Sequence, residues 1–236
     1  ALRGHYLWIV MKLTISYETD CTMNIEKKII KKVIKCNREY SLFSPDEMLL
    51  VAISGGKDSM SLLKILSKIH NPSLLYPVHI YPYKDEKILK YLQDFSMNVL
   101  SVPDRVIFLK NLLYESAGRS CYICSKGRRK TIFQEGERQK IYKIVLGHTK
   151  NDVAETFLMN ILYSGNTDTI RPAQEFFNGK FTVIRPFYCV EEHEINRYRG
   201  IYHIEPQNYD CAGKESNKRE VVRSFLRSLG DKYAVH

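Results

Sequence analysis

The chain has no apolar run near the roughly 18 residues that a helical membrane span needs. Its best candidate, Tyr6 to Ile15, is broken by Lys12 and has no small-residue cleavage pattern behind it. Cysteine is sparse too. Cys21, Cys36, Cys121, Cys124, Cys189 and Cys211 are too few for a disulfide scaffold in 236 residues. Without a secretory leader they point to a reducing, cytoplasmic setting, where paired cysteines do metal or redox work. No acidic residue precedes Glu18. Residues 1–22 therefore read as an upstream extension, with an organellar transit peptide as the alternative, and Met23 as the start of the folded part. Repeats, low-complexity tracts and linkers are absent, which leaves one domain over 23–236, a length that a single core can fill.

What the chain does have is a formal charge of +10, which suits a polyanionic partner or a solvated basic surface. Apolar residues Ile25, Ile29, Ile30, Val33 and Ile34 recur at helical spacing over 24–40. The run MLLVAI (48–53) is continuous enough for a buried parallel strand. Further strands are expected over 74–81, 99–102 and 141–146, and helices over 58–69, 84–97 and 151–163. The 151–163 helix should turn Val153, Phe157, Leu158 and Ile161 inward, and 110–140 should be mostly helical. Asn178-Gly179 between two apolar stretches signals a hairpin whose second arm is Phe181 to Ile184. Two more helices are expected at 191–198 and 216–229. Strands alternating with helices predict an α/β fold, a parallel sheet sandwiched by helices, with the hairpin as a small insertion.

Three segments carry chemistry. Strand, then Ser54-Gly55-Gly56-Lys57-Asp58-Ser59, then helix, lets a tight glycine turn and a helix start present amide donors to an anion. Lys57 adds a point charge, and Ser54 and Ser59 add hydroxyls. Asp58 would repel phosphate, so it either holds magnesium (Mg2+) or orients the loop. Gly147-His148-Thr149-Lys150-Asn151-Asp152, followed by Glu155-Thr156, lies at the carboxyl end of a strand, where ligands sit on open parallel sheets. There Gly147 would allow close nucleotide approach, and Asp152 would bind magnesium or take a proton. His79, at the end of the second strand, reads first as a satisfied structural histidine, with a place beside the expected ligand pocket as the alternative. Cys121-Tyr122-Ile123-Cys124 alone is compatible with a zinc half-site, a redox pair or coincidence. It is followed at once by Lys126, Arg128, Arg129 and Lys130, a basic series that suits a solvated helix face or the phosphates of a polyanion. Lys214, Lys218, Arg219, Arg223 and Arg227 form a second basic series near Cys211.

The SGGKDS loop resembles that of the PP-loop ATP pyrophosphatases. The loop, the CxxC, the GHxxxD segment, Ile184-Arg185-Pro186 and Cys211 also come in the order found in the tRNA 2-thiolation enzymes, the 2-thiocytidine and 2-thiouridine synthetases. The likeness spans about 24–229. It implies an ATP site made of Ser54 to Ser59, His79, Gly147 and Asp152. It also implies a [4Fe-4S] cluster on Cys121, Cys124 and Cys211, with one iron open to sulfur. Lys57, Asp152 and the three cysteines would then carry the reaction. The partners implied are tRNA, a sulfur donor (hydrosulfide, a persulfide or a carrier protein) and a second copy in a homodimer. Two departures leave the base open: the zinc ribbons of the uridine branch are missing, and Asn208 stands where the cytidine branch has another cysteine. The rival readings are a cluster-free adenylating ligase of the lysidine synthetase type and a non-catalytic tRNA-binding or sulfur-carrier module.

Overall fold

A computed structural model describes residues 24–102, 106–111, 113–114, 121–209 and 218–233. The extension 1–22, Met23, Cys211 and Lys214 lie outside the described residues, as does the side chain of Cys121. Helix α1 (24–40) leads into β1 (Leu49–Ala52), α2 (Lys57–Ile69), β2 (Leu75–Tyr81), α3 (Glu86–Leu100) and β3 (Ile107–Lys110). Then come α4 (Cys121–Gln139), β4 (Lys143–Val145), α5 (Lys150–Ser164), β5 (Ala173–Phe176), β6 (Phe181–Ile184), α6 (Glu192–Ile201) and α7 (Lys218–Tyr233).

The six strands form one sheet in the order β3-β2-β1-β4-β6-β5, parallel except at β5. β1 explains the two-faced packing. Leu49, Leu50 and Val51 are fully buried, and successive side chains leave opposite faces of a strand. Leu49 and Val51 join a core with Ile29 and Val33 of α1, Leu62 and Leu66 of α2, and Ile195 and Tyr198 of α6. Leu50 joins the other core, with Ile132 of α4, Ile144 and Val183. Cys36 is buried in the first core, as its place on the apolar face of α1 predicts, and its thiol is pushed up to about 12 by burial and by neighbouring Cys189. Cys189 itself is half-buried.

The sequence expectations need three corrections. The segment 99–102 is no strand: Val99 and Leu100 complete α3, and Ser101 caps it in the left-handed region (φ 55). The helical repeat Ile88, Leu92, Ser96, Leu100 outweighs the local β propensity of valine. The third strand is Ile107–Lys110, and the described helix within 110–140 is Cys121–Gln139. Second, α5 buries Glu155, while Phe157 and Ile161 are 41% and 39% exposed. α5 packs on α7 through charge, so its apolar stripe faces outward among the described residues. Third, the hairpin is no insertion. Its turn passes through Asn178 (φ 55) and Gly179 (φ 84), but β6 pairs in parallel with β4 and β5 closes the edge.

Candidate active site

Beyond β1 the chain turns at the switch point of the sheet, where β2 and β4 flank β1 on opposite sides. Gly55 has φ +89, and a side chain there would meet the Gln207 carbonyl oxygen at 2.9 Å. The Gln207 N–H donates to the Gly55 carbonyl at 2.9 Å, so the segment around Gln207 lies against the loop. The Ser59 hydroxyl accepts from the Ser54 N–H (3.1 Å) and donates to the Gly56 carbonyl (3.0 Å), which holds the turn closed. Gly56 precedes α2 with no side-chain cap, leaving the first-turn amides to an anion.

Lys57 is not a free cation. Its Nζ lies 2.9 Å from both Asp58 Oδ1 and Glu192 Oε1. Burial opposes the ammonium, but Asp58 and Glu192 outweigh it and its pKa is raised. Burial raises the Asp58 carboxyl, with Asp152 and Glu192 adding to the rise against Lys57. Among the described residues only Oδ1 of Asp58 is hydrogen-bonded, which leaves the other oxygen able to ligate a divalent cation.

Gly147 packs on the loop itself: a side chain there would sit 3.0 Å from the Ser59 nitrogen and 3.2 Å from the Asp58 carbonyl carbon. Its small size thus serves the contact between the two motifs, where the sequence suggested contact with a nucleotide. Thr149 caps α5 in a capping box with Asp152, whose Oδ2 accepts the Thr149 N–H (2.8 Å) and hydroxyl (3.0 Å). Asp152 Oδ1 accepts from Arg219 Nη2 at 2.9 Å. Buried Glu155 accepts from Arg219 Nε and Arg223 Nε, each at 2.8 Å. Arg219 and Arg223, expected to join a basic series near Cys211, instead neutralise the GHxxxDxxET segment, and Arg227 lies 3.9 Å from Glu192. The imidazole of His148 is lowered to about 4 by burial first and by Arg185 next, with Asp152 opposing, so it is neutral.

His79 is 1% exposed, and both its ring nitrogens are engaged: Nδ1 with the Ile53 carbonyl (2.7 Å) and Nε2 with the Tyr209 hydroxyl (3.0 Å). It braces β1 and Tyr209 rather than offering a nitrogen to adenosine. Burial lowers its pKa against the hydrogen bond to the Ile53 carbonyl, and the charge of Arg128 adds to the fall. Tyr209 packs edge-on against Tyr83 (5.2 Å), and Tyr83 against Tyr114 (6.1 Å), an aromatic strip along the ends of β2 and β3.

The CxxC lies in the first described turn of α4, with the backbone of Cys121 one turn before that of Cys124. Cys124 is half-buried. Asn111, the residue after β3, donates through Nδ2 to the Cys124 carbonyl (3.1 Å) and to its Sγ (3.3 Å). Asn111 is 2% exposed and sits where a side chain on Gly127 would clash, 2.1 Å from Asn111 Oδ1. Only the pairing of a loop asparagine with a glycine far along the chain marks this anchor, and no local motif shows it. An amide N–H held against the sulfur is the kind of outer contact that orients a cluster or metal ligand. Lys126, Arg128, Arg129 and Lys130 are exposed and form no ion pair among the described residues. Tyr122, between the cysteines, is 70% exposed.

Known proteins resemble this chain over most of its length. A family profile described as the PP-loop domain matches residues 22–229. A tRNA-cytidine(32) 2-sulfurtransferase 2 of Francisella tularensis subsp. tularensis (strain FSC 198) is 29% identical over 215 residues, covering 86% of this chain and 85% of the relative. A tRNA-cytidine(32) 2-sulfurtransferase 1 of Francisella philomiragia is 29% identical, with 86% and 83% covered. Among solved structures, a U34-tRNA thiolase from Methanococcus maripaludis with its [4Fe-4S] cluster superposes with a TM-score of 0.71 at 16% identity, over 90% of this chain and 74% of that one. An NH3-dependent NAD synthetase from Campylobacter jejuni gives 0.52 at 12% identity, over 91% and 85%. With the profile spanning nearly the whole chain and the loop of Ser54 to Ser59 in place, the chain belongs to the PP-loop domain family.

Proposed function

We propose that this chain is a tRNA 2-sulfurtransferase that uses ATP to activate the C2 oxygen of a cytidine and replaces that oxygen with sulfur, releasing AMP and pyrophosphate. The observation that carries this reading is the gathering of three chemistries on one sheet edge. The phosphate loop follows β1, the Gly147 segment packed on it follows β4, and the CxxC helix is anchored by Asn111 to the end of β3. At the usual strand spacing the carboxyl ends of β1 and β3, which carry the loop and the Asn111 anchor, are about 10 Å apart. Tyr209, two residues before Cys211 in sequence, stands between them on His79. The names of the Francisella relatives favour cytidine over uridine.

In this reading the amides of the loop, Ser54, Ser59 and Lys57 hold the phosphates, and Asp58 holds magnesium. Lys57 must exchange Glu192 for phosphate when ATP enters. Asp152, fixed by Thr149 and Arg219, orients the start of α5 against the loop. The attacking C2 oxygen takes the adenylyl group, pyrophosphate leaves, and attack of sulfur at C2 expels AMP. Cys121, Cys124 and Cys211 would hold a [4Fe-4S] cluster, which supplies an open iron for the incoming sulfur from hydrosulfide, a persulfide or a carrier protein. The exposed Lys126, Arg128, Arg129 and Lys130 take tRNA phosphates, and Tyr122 and the aromatic strip stack an extruded base. We further place the unit at 23–236, acting in the cytoplasm as a homodimer. Anaerobic purification tests the reading: brown protein with about four irons per chain that forms 2-thiocytidine in tRNA, both lost in Cys124→Ala. Colourless protein that adenylates without thiolating would assign the chain to the ligase class instead.

A further inference from the structure

The triplet Ile184-Arg185-Pro186 has no role in the chemistry above, yet it puts an uncompensated cation at the same sheet edge. β4 and β6 are parallel neighbours with Val145 opposite Ile184, so His148 and Arg185 leave the sheet on adjacent strands. Arg185 is 7% exposed. Its Nη1 donates to the Arg171 carbonyl at 2.6 Å, while Nε is buried with no hydrogen-bond partner among the described residues. Burial alone lowers the guanidinium to about 10, and no carboxylate of the described residues offsets it. The neutral ring of His148 likewise buries Nδ1 without a described partner.

A buried guanidinium is normally paired, because desolvation penalises an isolated charge. This one has a backbone carbonyl and, beside it, a neutral imidazole. The charges that flank the loop are otherwise matched: Lys57 by two carboxylates, Asp152 and Glu155 by two arginines. An unpaired guanidinium N–H, with an unpartnered imidazole nitrogen that donates in its Nδ1–H tautomer, beside a site otherwise balanced in charge calls for an oxyanion. Arg185 is two strand spacings from the phosphate loop, on the side away from His79, so the oxyanion falls beyond the loop rather than under the adenosine.

We propose that Arg185 and His148 form an oxyanion subsite for a phosphoryl group of the reacting complex, brought either by the nucleotide or by the RNA backbone. The inference rests on the reading that the chain binds ATP and tRNA. Arg185 supplies charge and fork geometry, and His148 supplies a neutral ring nitrogen that adds no competing charge.

Calorimetry on the full chain, purified anaerobically, with ATP, AMP, pyrophosphate, adenosine and unmodified tRNA, tests it. Arg185→Gln is expected to weaken at least one phosphate-bearing ligand tenfold or more and to leave adenosine unchanged. Loss for AMP or pyrophosphate identifies the nucleotide as the source, and loss for tRNA alone identifies the backbone. Arg185→Met should melt no lower than the parent, since it removes a buried unpaired cation while keeping volume. Parent-like affinity of Arg185→Gln for all these ligands overturns the subsite, as does a large fall in the melting temperature of Arg185→Met, which marks a structural arginine. A parent protein that binds neither ATP nor tRNA removes the proposed function itself, which separates the two failures.

Discussion

The two ends of the site handle charge in opposite ways. Around the phosphate loop and α5, Lys57, Asp58, Glu192, Asp152, Glu155, Arg219 and Arg223 are half-buried or buried and bound to one another. On α4, Lys126, Arg128, Arg129 and Lys130 stand exposed and unpaired among the described residues. Buried charge is costly to leave unbalanced, so around the loop all of it but Arg185 is paired, among the described residues, before the ligand arrives, and the pairing fixes geometry. Exposed charge costs little to leave unpaired and draws in a polyanion over a Debye length. The first region is thus built to hold a small ligand in one pose, the second to collect a large one.

The comparison breaks most sharply at Glu155. Glu155→Ala removes the carboxylate shared by Arg219 and Arg223, though Arg219 keeps Asp152, and should cost about 2–3 kcal/mol of stability, read from the denaturant midpoint. An unchanged midpoint would mean that the two arginines find water easily and the network is not structural. Next, replacing Lys126, Arg129 and Lys130 together by Ala should leave the midpoint alone. It should flatten the salt dependence of tRNA binding by about 0.7–0.9 in log–log slope for every phosphate no longer neutralised. Gly55→Ala comes third: the left-handed φ and the Gln207 carbonyl together should cost about 1–2 kcal/mol, and ATP binding should weaken with it. The acid side offers a finer test. His148 is held neutral down to about 4 in the fold against an ordinary 6.5, so the unfolded chain binds more protons between those values. Stability should therefore be intact above pH 6.5 and decline as pH falls toward 4, and His148→Gln should reduce that decline. The smallest effect is at Glu192. Glu192→Gln loosens Lys57 and should tighten ATP severalfold, seen by calorimetry, with no change in tRNA binding.

Legibility followed the range of the interaction. Ser54 to Ser59 between a buried strand and a helix, the Asn178-Gly179 turn and the CxxC are local patterns, and each sits where its spacing implied. The segment 99–102 misled because a short run holding valine and leucine fits a strand or a helix end equally well. α5 misled because its apolar stripe is genuine while its buried residue is a carboxylate. Glu192, Asn111 and the arginines of α7 were illegible as site residues. Each meets its partner across 13 to 135 residues, and no periodicity encodes such a meeting.

The sequence by itself determined the α/β class, the phosphate loop and the paired cysteines, because backbone conformation and near-neighbour spacing decide those. Only the tertiary structure decided which charges cancel, that Gly147 serves loop packing, that His79 is engaged at both nitrogens, and that Arg185 is left without a counter-ion among the described residues. The reason is physical. Electrostatic balance in a low-dielectric interior depends on distances between side chains far apart along the chain, and folding alone sets those distances.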